Sequence, residues 1–228
     1  MEILSYIVTA LAAYLLGSIP TGYLVAKAKG IDIRSVGSGN IGATNVFRIL
    51  GKSAGIFVLL ADAAKGYFAC YYIPRLIFQV DESVLELAET KLRNDYLIYL
   101  QSFEWHSIVA GVAAILGHNY TCWLKFKGGK GVATTAGVLV ALAPSAFLVV
   151  LCIFLLVFYL TRYISLSSIV AAFCLPFSVW WFHGSRTMIV VMAALGALAI
   201  YKHKANIQRL LNGTENRFGK KKSAEAAK

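Results

Sequence analysis

Seven apolar runs dictate what this chain can become. They lie near Ile3–Ala26, Ala54–Ile73, Trp105–Leu116, Val132–Ala143, Ala146–Leu160, Leu166–Phe182 and Thr187–Tyr201. Hydrophobic residues make up 58% of the 228 and charged residues 14%, where a soluble domain carries roughly 25% charged. A water-soluble core cannot absorb that much apolar surface. The pattern predicts an all-α integral membrane protein with about seven transmembrane helices. The third and fourth runs fall short of the roughly 20 residues that cross the hydrocarbon. The first run starts Met-Glu without a basic leader, has no small-residue cleavage site and passes straight into polar sequence, so it is expected as a retained helix. Cys70, Cys122, Cys152 and Cys174 are scattered through apolar sequence without CxxC spacing, so neither a metal site nor a disulfide framework is expected.

The net charge of +11 raises the question of a nucleic-acid partner, and the positions of the cations answer it. With seven spans, 17 of the 22 Lys and Arg fall on one side: Lys27, Lys29, Arg34, Arg48, Lys52, Lys125, Lys127, Lys130, Arg162 and eight after Tyr201. The other side holds Arg75, Lys91, Arg93 and Arg186 together with Asp81, Glu82, Glu86, Glu89, Asp95 and Glu104. The positive-inside rule makes the first side cytoplasmic, with the N-terminus outside and the C-terminus inside. The tail ending KKKSAEAAK has no interleaved aromatics and suits anionic lipid headgroups better than nucleic acid. One polytopic domain is expected over 1–210, with an outer insertion at 74–104 whose Val84–Tyr99 spacing suits a peripheral helix or a loose insertion, followed by a basic cytoplasmic tail at 211–228.

Two polar segments between the runs carry the chemistry. Val36–Arg48 reads VGSGNIGATNVFR, and Phe126–Thr135 reads FKGGKGVATT. Glycines let backbone N–H groups approach an anion closely, while Arg48 and Lys130 supply positive charge. Such sequence at helix ends suits an anion held against the lipid surface, which points to phosphorylated substrates. Gly37, Gly39 and Gly42 match GxGxxG, with Asp62 twenty residues on, but a membrane helix stands where a dinucleotide-binding unit needs a strand. A Walker loop is excluded too, because Leu124 and Gly131 occupy its first glycine and its Ser/Thr positions. No histidine has an aspartate five residues later, which removes the HxxxxD dyad of soluble-type glycerolipid acyltransferases.

Asp62 and Lys65 are three apart on one helix face and would each cost about 3 kcal/mol if exposed alone at the bilayer centre. Mutual pairing inside the bundle, orienting the motif loop, is the expected role. His118 opens the second polar segment in GHNYT. Two further clusters, TRYISLSS at 161–168 and KHKANIQRLLNGTE at 202–215, lie on the same side, with His203 and Asn206 three apart.

LLGSIPTGYLVAK, SGNIGATNVFR, LADAAKG, GHNY, KFKGGKGVAT, RYISLSS and KHKANIQRLLNGTENRF occur in this order over most of the chain. Together they resemble the acyl-phosphate:glycerol-3-phosphate acyltransferases, the PlsY family of bacterial membrane enzymes. The resemblance implies transfer of a fatty acyl group from acyl phosphate to the 1-hydroxyl of glycerol 3-phosphate, giving lysophosphatidic acid and phosphate at the cytoplasmic side of the inner membrane. It implies Ser38, Arg48, Lys130, His203 and Asn206 as catalytic residues. It implies Gly37, Gly39, Asn40, Thr44, Asn45, His118, Gly128, Gly129, Gly131, Ser168 and Glu215 as substrate-binding residues, with Glu215 equally suited to supporting the fold. Acyl phosphate is a mixed anhydride with a good leaving group, so no cofactor is required. The expected partners are the two substrates and membrane lipids. A transporter of a phosphorylated solute is the alternative, but no inverted duplication is visible and the polar motifs lie at span ends.

Overall fold

The computed structural model describes residues 2–78, 93–183 and 186–219, and every regular element among them is helical. The helices are α1 (Glu2–Ser18), α2 (Thr21–Lys27), α3 (Ala43–Leu50), α4 (Lys52–Phe78), α5 (Arg93–Asn119), α6 (Val132–Leu142), α7 (Pro144–Thr161), α8 (Ile164–His183), α9 (Arg186–Lys202) and α10 (Lys204–Leu211). A single 3₁₀ turn, Cys122–Leu124, lies between α5 and α6. Among the described residues, five stretches are long and apolar enough to cross a membrane: Ile3–Lys27, Lys52–Ile77, Leu100–Leu124, Pro144–Thr161 and Ile164–Phe182. Helices α9 and α10 meet at a 57° bend and would count as a sixth if taken as one broken span. The fourth apolar run becomes α6, whose 11 residues reach only about 16 Å at the 1.5 Å rise of a helix. The third run, short by its apolar letters, belongs to the 27-residue α5. Of the expected outer insertion, residues 74–78 and 93–104 extend α4 and α5. The first part of the helix expected at 84–99, through residue 92, and the whole KKKSAEAAK tail lie outside the described residues.

Contacts divide the chain into two compact units, Met1–Pro144 and Ser145–Lys228. In the first, α1 packs along α5, and α4 packs along α6 and α5, with α3 laid against α4. Lipid chains are as apolar as leucine, so membrane helices associate through close backbone approach between small residues. The packing of α1, α4 and α5 follows that rule, with Ala13 of α1, Ala69 of α4 and Ala110, Ala113 and Ala114 of α5 in one buried cluster. A Cβ on Gly17 would strike the Ala114 backbone, and one on Gly137 in α6 would strike the Ala63 carbonyl in α4. Ile3, Leu4, Leu11 and Leu15 on the outer face of α1 are exposed, as a lipid-facing surface requires.

In the second unit α8 and α9 pair, and α10 touches both. The residues after α10 fold back on the α7–α8 turn, where the Phe218 N–H donates to the Arg162 carbonyl at 2.8 Å. The Phe218 ring meets Phe158 edge-on at 5.4 Å.

Candidate functional site

The first polar segment is a loop tied around one side chain. Asn45, in the first turn of α3, is 1% exposed. Its Oδ1 accepts the Ser38 N–H at 2.9 Å, and its Nδ2 donates to the carbonyls of Ile33, Val36 and Asn40 at 3.0–3.2 Å. The loop must therefore curl back over Asn45. Gly37 permits this because its φ is +64° and a Cβ there would strike Asn45 Oδ1. Asn40 closes the next turn by accepting the Gly42 N–H at 2.8 Å. At the loop's start, Arg34 grips Asp32 through Nε and Nη2, the shortest contact being 2.7 Å. Hydrogen bonds from that guanidinium and from the Arg34 backbone N–H, together with the Arg34 charge, hold the Asp32 carboxyl down to about 2. Ser38, Thr44 and Arg48 remain exposed on this scaffold, so a serine hydroxyl and a guanidinium are offered outward from a backbone fixed from within.

The second segment is sewn to the C-terminal end of α5. The Gly128 N–H donates to the Asn119 carbonyl at 3.2 Å, and the Gly129 N–H to the His118 carbonyl at 3.0 Å. Helix ends leave carbonyls without intrahelical partners, and the loop satisfies two of them. Approach is so close that a Cβ on Gly128 would hit the His118 carbonyl and one on Gly129 the His118 Nε2. Gly131, at φ +80°, turns the chain into α6 beside the Asn119 amide. Lys130 is half-buried and His118 is 5% exposed.

Both segments belong to one end of the first unit. Leu124, from the 3₁₀ turn before the second loop, lies in the same buried cluster as Ile33, Ile41 and Val46 of the first. Around them the end of α1 is tied to the end of α5 and to α4: the Thr121 hydroxyl donates to the Ser18 carbonyl at 2.6 Å, the Tyr14 hydroxyl to the Tyr120 carbonyl at 2.6 Å, and Lys65 Nζ of α4 to the Ile19 carbonyl at 2.9 Å. Asp62 and Lys65 pair as expected, at 2.8 Å with both side chains buried.

The remaining residues belong to the second unit. Glu215 is enclosed by donors: Ser165 Oγ at 2.9 Å and Asn206 Nδ2 at 2.8 Å on Oε1, and Arg209 Nε at 2.7 Å on Oε2. Burial pushes its carboxyl up, but the hydrogen bonds from Asn206, Arg209 and Ser165 and the Arg209 charge outweigh burial and hold it below its ordinary value. His203 stands at the α9–α10 bend, with Nδ1 2.7 Å from the Ala199 carbonyl, an arrangement that fixes the ring. The Ser168 hydroxyl donates to the Ile164 carbonyl at 2.9 Å.

The structure thus groups Gly37, Ser38, Gly39, Asn40, Thr44, Asn45 and Arg48 on one loop and helix, and His118, Gly128, Gly129, Lys130 and Gly131 on a second loop at the same end of the first unit. Ser168, His203, Asn206 and Glu215 belong to the second unit. Ser165 and Arg209, both partners of Glu215, were not singled out from sequence. Arg209 carried a signal, since it stands three residues after Asn206 on the same helix face.

A family model described as glycerol-3-phosphate acyltransferase matches residues 7–213. A glycerol-3-phosphate acyltransferase from Geotalea daltonii is 45% identical over 94% of this chain and 98% of its own length. One from Clostridioides difficile is 42% identical over 97% of this chain and all of its own. The crystal structure of PlsY (YgiH), an integral membrane glycerol 3-phosphate acyltransferase in its glycerol 3-phosphate form, superposes with a TM-score of 0.77 at 38% identity, covering 94% of this chain and 96% of that one. Its lysophosphatidic acid form gives 0.75 at 37%, with the same coverage.

Proposed function

The chain belongs to the glycerol-3-phosphate acyltransferase family, and from that premise we propose that it transfers a fatty acyl group from acyl phosphate to the 1-hydroxyl of sn-glycerol 3-phosphate, releasing lysophosphatidic acid and inorganic phosphate. It is a multi-pass membrane acyltransferase. The related PlsY structures hold glycerol 3-phosphate in one form and lysophosphatidic acid in the other, the acceptor and the acylated product of this transfer. Those relatives decide against the transporter alternative. The observation in this molecule that best supports the reading is the glycine loop clamped to α5, with Lys130 in it and Arg48 on the adjoining motif.

The acceptor's 1-oxygen attacks the acyl carbonyl carbon, the bond from that carbon to the phosphate oxygen breaks, and the hydroxyl proton leaves on phosphate. Because the leaving group is already good, positioning and charge neutralisation carry the work, and fixing two reactants in attack geometry lowers a barrier by about 7–11 kcal/mol. Backbone N–H groups of the loop at Gly128, Gly129 and Gly131 would line the acyl phosphate, with Lys130 as its point charge. Arg48 would clamp a phosphate, and exposed Ser38 would orient the acceptor hydroxyl without becoming acylated, since no histidine adjoins it in sequence. Gly37, Gly39, Asn40, Thr44 and Asn45 shape the loop that carries Ser38. Ser168, His203 and Asn206 are proposed as further substrate-facing groups, and Glu215, with both oxygens occupied by protein donors, as the support of Asn206. Residues 1–210 are proposed as one acyltransferase domain in the bacterial inner membrane, with both glycine segments and the 211–228 tail on the cytoplasmic side.

Purified protein given acyl phosphate and labelled glycerol 3-phosphate is expected to form labelled lysophosphatidic acid, and Ser38→Ala to abolish turnover with no acyl-enzyme trapped in the wild type. Phosphate release without lipid product, or an acyl adduct on Ser38, would overturn the mechanism. A reporter fused after Ala227 that proved extracytoplasmic would reverse the topology.

A further inference from the structure

Three buried ionisable side chains take no part in the steps proposed for the transfer, although the resemblance counts one of them, His118, among the substrate-binding residues. Asp62 and Lys65 on α4 and His118 at the end of α5 are each no more than 5% exposed. Neutralisation of one buried charge by another explains the first two but not the third. Lys65 has a double engagement, at 2.8 Å to Asp62 Oδ1 and 2.9 Å to the Ile19 carbonyl, where α1 ends before Pro20. A cation there meets the negative end of the helix dipole and a carbonyl that also accepts the Thr21 N–H at 3.0 Å. Asp62 Oδ1 is shared in turn, lying 3.6 Å from His118 Nδ1. The opposite ring nitrogen, Nε2, abuts Gly129, where even a methyl group would collide with it. His118's own carbonyl holds the Gly129 N–H at 3.0 Å. The imidazole is thus wedged between a buried carboxylate and the backbone of the glycine loop.

We infer that Asp62, Lys65 and His118 form a positioning relay for the glycine loop, running from the end of α1 through α4 to the back of Gly129, with His118 bearing on the loop and not on substrate. The inference rests on the proposed role of this loop in holding the acyl phosphate. An apolar side chain in place of His118 could fill the same space, but a ring nitrogen 3.6 Å from the carboxylate adds an electrostatic contact that favours one orientation of the ring. Lys65 holds the carboxylate in place from the other side. Displacement of reacting groups by about 1 Å is enough to cost about 100-fold in rate, so the precision has a purpose.

The test is a set of steady-state measurements on the purified full-length enzyme, with each substrate varied in turn and the melting temperature recorded. Asp62→Asn and His118→Phe are each expected to raise the KM for acyl phosphate at least tenfold while leaving that for glycerol 3-phosphate within twofold. Together they should do little more than either alone, because they cut one chain of contacts. The pair-neutral variant Asp62→Asn with Lys65→Met removes the unpaired buried charge; it should melt near the wild type yet keep the raised donor KM. A stably folded pair-neutral variant with wild-type donor KM would overturn the relay, as would multiplicative effects of Asp62→Asn and His118→Phe or equal rises in both KM values. Lys130→Ala, run beside them, separates the two ideas: if it raises the donor KM and the relay variants do not, only the relay fails. If it leaves the donor KM unchanged, the role of the loop itself fails.

Discussion

Replacing Asn45 by aspartate changes one nitrogen to oxygen and should disable the enzyme as thoroughly as deleting the side chain. The amide oxygen accepts the Ser38 N–H, and the two protons on Nδ2 are shared among the carbonyls of Ile33, Val36 and Asn40. The bond to Ile33 is fully buried, and losing a buried partner costs about 1–3 kcal/mol, whereas the part-buried ones are worth about 0.5–1.5 kcal/mol each and water can partly replace them. Alanine should therefore release about 3 kcal/mol of loop order, a factor of about 100 at 1.4 kcal/mol per decade. Aspartate keeps the acceptor for Ser38 but turns an acceptor toward three carbonyls. Asn45 lies at the third position of α3, where the helix dipole favours a carboxylate by about 0.3–1 kcal/mol, too little to offset that loss. Both variants should lose about 100-fold or more in kcat/KM for lysophosphatidic acid formation, aspartate at least as much as alanine, with faster hydrogen exchange across residues 33–42. Asn45→Asp with more than half the wild-type activity would refute the reasoning. So would an inactive Asn45→Ala whose loop exchanges like the wild type, since Asn45 would then act on substrate and not on the loop.

Gly129→Ala should cost at least about 100-fold in activity because its methyl meets the His118 ring, whereas Gly30→Asn, at φ +73° with open space around it, should be tolerated because asparagine accepts that conformation; initial rates of the two variants check the contrast. Glu215 has a depressed folded pKa, so its contribution to stability is complete above the unfolded value of about 4.3 and is lost as pH falls through the folded value. Glu215→Gln should lower the melting temperature at pH 7 and flatten its decline on the acid side of about pH 4.3; a mutant curve parallel to the wild type would count against the assignment. Thr134 is fully buried and its hydroxyl has no protein partner among the described residues, so Thr134→Val should match or exceed the wild type in thermal stability, by up to about 1–3 kcal/mol. A clear drop in melting temperature would show that the hydroxyl is satisfied after all.

What sequence could reveal follows from how far each interaction reaches along the chain. Apolar runs became helices because hydrocarbon offers the backbone no other partner, and the polar segments between them announced themselves by contrast. The length of α5 was concealed by polar positions such as His106 and Ser107, which are buried within the protein and so do not interrupt the helix. The Asp62–Lys65 pair was legible because helical geometry relates residues three apart. The third member was not, since His118 lies 53 positions beyond Lys65 and nothing local says which buried carboxylate a distant ring will face. Asn45 read as a polar residue near a ligand; only the fold reveals that its amide is spent on backbone up to 12 residues away. Ser165 found Glu215 across 50 residues for the same reason.

These buried networks share a physical origin. A site for phosphate at the membrane surface needs exposed N–H groups and cations on backbone that cannot be held by hydrophobic packing alone, because glycine brings no side chain to pack. The restraint must come from behind, and behind a loop at a membrane-helix end there are orphan carbonyls and apolar matrix. Asn45 answers with neutral hydrogen bonds at the serine loop, and Asp62, Lys65 and His118 answer with charge at the glycine loop. Charge is the costlier device to bury, and it is used at the loop whose glycines approach another backbone most closely. If loop precision is what that cost supports, pair-neutral variants should stay folded and lose donor affinity, whereas variants of the Asn45 knot should loosen the loop that carries Ser38.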